Sequence, residues 1–509
     1  MAYLIGIDIG TSATKTILMD DMGKILSSKT CHYSMSQPNN GWAEQNPLDW
    51  KNAVLTTLKA VVHDSGVHKD DIRGIGLSGQ MHGLVMLDAD YEIIRPPIIW
   101  CDQRTSAQVE KMEEILPVYR WLEITANPPL AAWTAAKILW VKENEPENYN
   151  RCKHILLPKD YIRFILTGEL ATDVSDASGM QILNVKERNW SDEILNLLHI
   201  DRSWLGMLYE SQQATGKLLS GISCECGLNP NTVVAAGASD NACAAIGTGV
   251  IREGQAFTTI GTSAVMYTHL DQYKEIPKGR LHVCCCAVPG GWHTMGGPQS
   301  AGLSLEWFKD NFCHDYVQEA ANTGVNVFRL IDQRVAEIPP GSDKLLYLPF
   351  LMGERTPNFN PDYRGAFIGL NAVHKSANLL RAIMEGVAYS LADCNAVLKS
   401  INVHVNSIRA CGGGGRSRIW RQILANLYGC DIRTLKQTEG PALGAAILAG
   451  VAAGVYEDIG QACDNLITED EIVSVNQSEV EIYRQFHQLY DKVYTSLIDS
   501  YHALAAIGL

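Results

Sequence analysis

Tyr3-Leu4-Ile5-Gly6-Ile7-Asp8-Ile9-Gly10-Thr11-Ser12 begins as an apolar run and ends in a carboxylate, a glycine and two hydroxyls. Apolar residues at odd and even positions alike predict a short strand buried on both faces. The tail Ile9-Gly10-Thr11-Ser12 recurs about half a chain later as Ile260-Gly261-Thr262-Ser263. Each copy lies in a strand-turn-strand context. Asp20-Asp21-Met22-Gly23 and a second strand, Lys24 to Tyr33, follow the first copy, and Ala264-Val265-Met266-Tyr267 continues the second. Four residues are a small match, but each copy also begins a half. The reading is two related lobes, residues 1–246 and 247–509, about a central cleft. Thr259 stands where the first copy has Asp8, so only the first lobe brings a carboxylate to its turn.

The rest alternates helices with short apolar strands, the pattern of an α/β protein with helix-covered sheets. Pro47 to Ser65 has helical spacing through Trp50, Val54, Leu58 and Val61. Strands are expected at Ile72 to Leu77, Ile155 to Leu157, Val233 to Ala236 and Ile408 to Cys411. Arg418 to Tyr428 reads as a helix, and Glu479 to Leu504 as one long final helix.

Composition removes several functional classes. The chain has 509 residues with 42 Lys+Arg and 56 Asp+Glu, a formal charge of −14, whereas a duplex nucleic-acid binder needs a basic face. Met1-Ala2-Tyr3-Leu4-Ile5-Gly6 has no basic region, so a secretory signal is not expected in it. Gly440 to Tyr456 is the longest uncharged stretch of interest. It is short for a span of about 20 residues and rich in Ala and Gly, so it reads as a buried helix. Fourteen cysteines without a Cys-x-x-Cys pair predict reduced, mostly buried thiols in a cytoplasmic protein. Cys284, Cys285 and Cys286 are consecutive and would point to opposite faces of a strand.

Several segments carry candidate chemistry. Backbone N–H groups at the Gly10 turn can cradle phosphate, Thr11 and Ser12 add hydroxyl donors, and Asp8 suits Mg²⁺; an ordinary polar hairpin is the plain alternative. Gly412-Gly413-Gly414-Gly415 lies between a strand and a helix, where a ligand can approach the backbone. Asp240 follows a strand and opens a small-residue helix, as either an N-cap or a general base. Gln80, Met81 and His82 lie between Gly79 and Gly83, and Trp100-Cys101-Asp102-Gln103-Arg104 follows an apolar run. Both clusters suit a small hydroxylated molecule. The chain has no P-loop, no early Gly-x-Gly-x-x-Gly and no Gly-x-Ser-x-Gly elbow.

Gly365-Ala366-Phe367-Ile368-Gly369-Leu370, followed after seven residues by Asn378 to Glu385, resembles the C-terminal signature of the FGGY carbohydrate kinases. Thr172 to Ser178 and Gly440 to Ala446 also resemble segments of that family, and the likeness runs along nearly the whole chain. It implies two actin-like, ribonuclease H-like ATPase lobes that share a core with actin and hexokinase, and it implies ATP and Mg²⁺. Within the family, Ser78-Gly79-Gln80-Met81-His82-Gly83, Trp100 to Thr105 and Gly412 to Ser417 resemble the branch that phosphorylates D-xylulose. Another sugar kinase of the family, acting on gluconate or a ribulose, is the alternative.

By this resemblance Asp240 is the base that takes the proton of the sugar hydroxyl, and Gln80, Met81, His82, Trp100 and Asp102 lie at the sugar. Asp8 is near Mg²⁺. Thr11, Ser12 and Lys15 form one phosphate segment, Gly261, Thr262 and Gly302 a second, and Gly413, Gly414 and Ser417 the nucleotide turn. A homodimer is expected from the family alone, and neither nucleic acid nor membrane is an expected partner. A nucleotide-switched chaperone on the same core would leave the Gln80 and Trp100 clusters without a task. A dinucleotide oxidoreductase lacks its glycine fingerprint.

Overall fold

The computed structural model describes residues 1–507. Its frame is two seven-stranded sheets. In the first, Tyr3–Ile9 pairs antiparallel with Ala13–Asp20 and parallel with Ile72–Gly79. In the second, Gln255–Ile260 pairs antiparallel with Ala264–Leu270 and parallel with Ser407–Cys411. The four-residue repeat therefore marks one topology used twice. Both copies form the bend of the first hairpin in their sheet.

Alternation along Tyr3–Ile9 explains how the first sheet is covered. Ile5, Ile7 and Ile9 pack with Trp50, Val54, Leu58 and Val61 of the helix Pro47–Ser65. Leu4 turns the other way, into a cluster with Ala442, Ala445, Ala446 and Ala449. These alanines belong to the helix Gly440–Ala452, which comes from the second half of the chain and covers the first sheet. It is the uncharged stretch read as a buried helix. Among the described residues no helix is long and apolar enough to cross a membrane.

This helix lies so close that backbone meets backbone. A Cβ on Gly6 would strike the Ala442 carbonyl, and one on Gly76 the Ala445 carbonyl. On its other flank runs the helix Asp240–Gly247. There a Cβ on Gly444 would strike the Cys243 carbonyl, and one on Gly247 the Gly440 carbonyl.

A second seam joins the lobes at the strand His282–Cys285. The side-chain amide of Asn127 donates to the Val283 carbonyl (2.7 Å) and its oxygen accepts from the Val283 N–H (3.2 Å). Ser178 Oγ accepts from the Cys285 N–H (3.0 Å). Cys284, Cys285 and Cys286 are all buried, and all fourteen cysteines are free thiols.

The last helix differs from the expected single run. It breaks at Leu497 into Gln477–Ser496 and Ile498–Ala505. Just before the break, Thr495 and Ser496 donate their hydroxyls back to the carbonyls of Asp491 and Val493, and such bonds compete with the helical ladder.

Gly76→Ala is expected to be destabilising, by roughly 1–3 kcal/mol or more, because the obstruction is backbone that cannot rotate away. Gly221→Ala is the control: it lies in the helix Ser220–Cys226 with open space where the Cβ would go. Thermal unfolding should show a clear fall in Tm for the first and none for the second.

Candidate active site

The candidate residues gather at the C-terminal ends of the parallel strands, where open α/β sheets bind ligands. In the first lobe Ile9 lies opposite Gly79, and Ser239 pairs with Gly79 from the other side. The Gly10 turn, the Gln80–Gly83 segment and Asp240 therefore form one edge. In the second lobe Thr259 lies opposite Cys411, which brings the Gly261 and Gly412 turns together.

Asp8 and Asp240 are the carboxylates of this edge. Ser78 Oγ donates to Asp8 Oδ1 at 2.8 Å. Burial nevertheless pushes Asp8 above the ordinary carboxylate range, and the Ser78 bond and the Lys15 charge offset only part of that. Asp240 is the first residue of its helix; Ser239 holds the N-cap position and makes no side-chain cap bond. Asp240 Oδ1 accepts from the Asn241 N–H (2.6 Å) and from Asn241 Nδ2 (2.9 Å). Burial and then the charge of Asp8 push Asp240 up to about 7, against these two bonds. Two desolvated carboxylates that repel each other form a hard-oxygen donor set that fits Mg²⁺.

The segment Ser78–Gly83 divides its tasks. Met81 is buried, and its sulfur accepts from Asn241 Nδ2 at 3.8 Å. His82 stacks on Trp133 at 4.6 Å. Its Nδ1 lies 2.8 Å from the Gly179 carbonyl. A carbonyl only accepts, so Nδ1 carries the proton. Burial holds the ring's pKa down to about 3, which leaves a neutral imidazole with Nε2 as a bare acceptor. His82 also has φ of +65°, an uncommon backbone for a residue with a side chain. Lys137 Nζ (2.8 Å) and Thr134 Oγ1 (3.1 Å) both donate to its carbonyl and fix it there.

Gln80 does not reach the cleft. It is fully buried, and its amide donates to Gln45 Oε1 (2.8 Å) and weakly to the Gly10 carbonyl. Gln45 in turn donates to the Thr11 carbonyl (2.6 Å), and Tyr33 OH to the Gly10 carbonyl (2.6 Å). The carbonyls of the turn are thus drawn backwards, and the Thr11 and Ser12 N–H groups make no backbone bond. Trp100 is exposed on this turn, with its Nε1 donating to Thr11 Oγ1 at 2.8 Å. Asp102 also departs from its expected position at the sugar. It is fully buried, accepts from the Ala43 N–H (2.6 Å) and grips Arg104 with both oxygens, so it organises its loop. Lys15 is ion-paired with Glu439, at the start of the helix Gly440–Ala452.

On the second lobe, the Thr262 carbonyl accepts from the Ala301 and Leu303 N–H groups, and the Gly261 carbonyl from the Gly302 N–H. Gly302 is needed because a Cβ there would strike the Gly261 carbonyl. Gly413 borders open space. Gly414 packs on Ile260 and cannot carry a side chain. Ser417 is engaged elsewhere than the expected nucleotide turn. Its hydroxyl accepts from the Trp420 N–H as helix cap and donates to Asp332 (2.8 Å).

Behind Asp240 lies a buried charge cluster that motif reading left without a role. Lys159 Nζ meets Asp160 at 2.6 Å, Asp173 at 3.0 Å and Asp176 at 3.8 Å, with Arg163 3.3 Å from Asp160. Asp173 accepts from Ser175 Oγ, which accepts from the Ser239 N–H. Lys159 and Arg163 both reach the Ala236 carbonyl. The cluster therefore holds the strand end that carries Asp240. Thr172 to Ser178, which supplies two of its carboxylates, was the available signal.

Residues 3–247 match the FGGY family of carbohydrate kinases, N-terminal domain, and residues 256–453 match its C-terminal domain. The chain is 38% identical to a xylulose kinase of Bacillus subtilis over 504 residues, 99% of each chain. It is 36% identical to a xylulose kinase of Lactococcus lactis over 509 residues, 99% of each. The solved structure of a ligand-bound xylulose kinase from Lactobacillus acidophilus superposes with a TM-score of 0.92 at 28% identity, covering 99% of this chain and 100% of that one.

Asp240 should titrate near neutrality in the free protein, and Asp8→Asn should move that titration down by removing the adjacent negative charge. Carboxyl infrared difference spectra check both. The raised value has a stability consequence with a definite sign. Ionised Asp240 costs stability above its folded pKa of about 7, and the cost is absent below its unfolded value of about 3.9. Asp240→Asn should therefore raise Tm at pH 8, with the gain fading towards pH 4.

Proposed function

Because the chain belongs to the FGGY family of carbohydrate kinases, which use ATP, we propose that it phosphorylates D-xylulose, giving D-xylulose 5-phosphate and ADP. The observation that carries the chemistry is Asp240: a carboxylate at a strand end in the cleft, raised to about 7, where a general base works best at physiological pH. The sugar assignment is supported by the near-full-length likeness to xylulose kinases.

In this reading Asp240 accepts the proton of the sugar's terminal hydroxyl as that oxygen attacks the terminal phosphorus of ATP. Neutral His82 accepts from a sugar hydroxyl through Nε2, and Met81 provides an apolar wall. Phosphoryl transfer needs mostly positioning and charge neutralisation. The free N–H groups of Thr11 and Ser12, with the Gly261–Thr262 turn and the Gly413–Gly414 turn, serve the phosphates from the two sides of the cleft. Gly302 acts by holding the Gly261 turn. Lys15 contributes on exchanging Glu439 for a phosphate oxygen. Asp8 would hold Mg²⁺, which neutralises phosphate charge when bound. Trp100 acts through the Thr11 turn. The lobes 1–246 and 247–509 then contribute sugar and nucleotide sites respectively.

A coupled ADP-release assay across D-xylulose, L-xylulose, D-ribulose, L-ribulose, gluconate and glycerol should give the highest kcat/KM with D-xylulose. A preference for gluconate would replace the sugar but keep the kinase. Asp240→Asn should lower kcat by about 10²–10⁴-fold while ATP binding, followed by calorimetry, is retained. Near-normal turnover by that variant would remove Asp240 as the base.

A further inference from the structure

Lys137 is fully buried and, among the described residues, forms no ion pair. Its Nζ donates instead to two backbone carbonyls, that of His82 at 2.8 Å and that of Ala132 at 2.7 Å. Lys159 is equally buried, but Asp160, Asp173 and Asp176 surround it. Taking a lysine out of water without a paired carboxylate is costly. Burial pulls the pKa of Lys137 down to about 7, against the charge of Asp102. Protonated or neutral, the amine keeps a hydrogen for each carbonyl.

The two carbonyls come from different segments. His82 lies in the turn after the strand Ile72–Gly79. Ala132 directly precedes Trp133, the N-cap residue of the helix Thr134–Asn144 that carries Lys137. Nζ therefore ties the His82 turn to the backbone that presents Trp133, and the two rings stack at 4.6 Å and 19°. The far end of the ring is held by Gly179, whose carbonyl accepts from Nδ1 at 2.8 Å; a Cβ on Gly179 would strike that nitrogen. The Trp133 loop is pinned in turn. Thr105 Oγ1 donates to the Ala131 carbonyl (2.6 Å), and Gln181 Oε1 accepts from the Leu130 N–H (3.2 Å). A residue at φ of +65° is kept there by its surroundings and not by its own preference.

We propose that Lys137 is a positioning residue for the sugar: by drawing the His82 and Ala132 carbonyls to one nitrogen it locks the imidazole against Trp133 and so fixes the direction of Nε2. This rests on the placement of His82 at the sugar in the functional reading above. Lys137 acts through His82, so its loss should weaken the sugar and leave Asp240 and the nucleotide turns at work.

In Lys137→Met, KM for D-xylulose should rise by at least about tenfold, the scale of a lost buried hydrogen bond, while kcat and KM for ATP change no more than about threefold. In a His82→Ala background the same substitution should add less than about twofold, because the residue it acts through is gone. Lys137→Gln keeps a two-hydrogen donor on a shorter arm; it should fall between wild type and Lys137→Met, and it carries the same comparison if the methionine variant does not fold. An unchanged KM for D-xylulose, a full tenfold loss on top of His82→Ala, a parallel rise in KM for ATP, or failure of both variants to fold would each overturn the proposal. A His82→Ala variant with unchanged sugar kinetics removes His82 from the sugar and the proposal with it. A wild-type enzyme inactive on D-xylulose overturns the sugar assignment instead, and the same ratios are then read with the sugar it accepts.

Discussion

The arrangement depends on one close approach, that of the helix Gly440–Ala452 to the first sheet and to the helix Asp240–Gly247. Small residues bring the backbones together: Gly6 and Gly76 on the strands, Gly247 and Gly444 between the helices. The alanines of this helix bury little apolar area each, so its contribution lies in density of packing and in what it fixes. Gly6 lies two residues before Asp8 on the same face of its strand, and Gly247 ends the helix that Asp240 begins. A contact without slack therefore sets the positions of both carboxylates. Because the helix belongs to the second half of the chain, it also ties that half to the first sheet.

Electrostatics adds a second layer beneath that contact. The buried cluster behind Asp240 has two cations, Lys159 and Arg163, against Asp160, Asp173 and Asp176. Fully ionised it would be net negative although all five side chains are buried. Burial pushes Asp176 well above the usual carboxylate range, with Lys159 opposing, and both of its oxygens lack hydrogen-bond partners. Burial thus favours the protonated form of Asp176, which works against that imbalance. The cluster holds the Ala236–Asp240 segment through the Ala236 carbonyl and the Ser239 N–H.

The repeat of Ile-Gly-Thr-Ser was legible because a strand running into a glycine turn is a local signal, and both copies fold as the first hairpin of a sheet. Asp240 was legible as a carboxylate at a strand end, although sequence left open whether it caps its helix; Ser239 takes that position. Gln80, Asp102 and Ser417 were expected at ligands and are turned inward. A polar residue at a strand end is visible in sequence, but the partner that takes up its hydrogen bonds is not. Gln45, Arg104 and Asp332 are those partners. His282 was missed for a related reason: its ring packs on Trp133 of the other lobe, more than a hundred positions away in the chain.

The two lobes also divide the polar work of the cleft by sign. The first presents acceptors, Asp240, Asp8 and the bare Nε2 of His82, together with the N–H groups of one turn. The second brings the Gly261 and Gly412 turns together beside Thr259 and Cys411. In the proposed reading an acidic chain can still bind an anionic cosubstrate, because the acceptors of the first lobe would meet hydroxyls and metal while backbone donors would meet the phosphates. It also explains why His82 is held neutral in a strained backbone, braced by Lys137 and Thr134. In the proposed reading a protonated imidazole would remove the acceptor that orients the sugar towards Asp240.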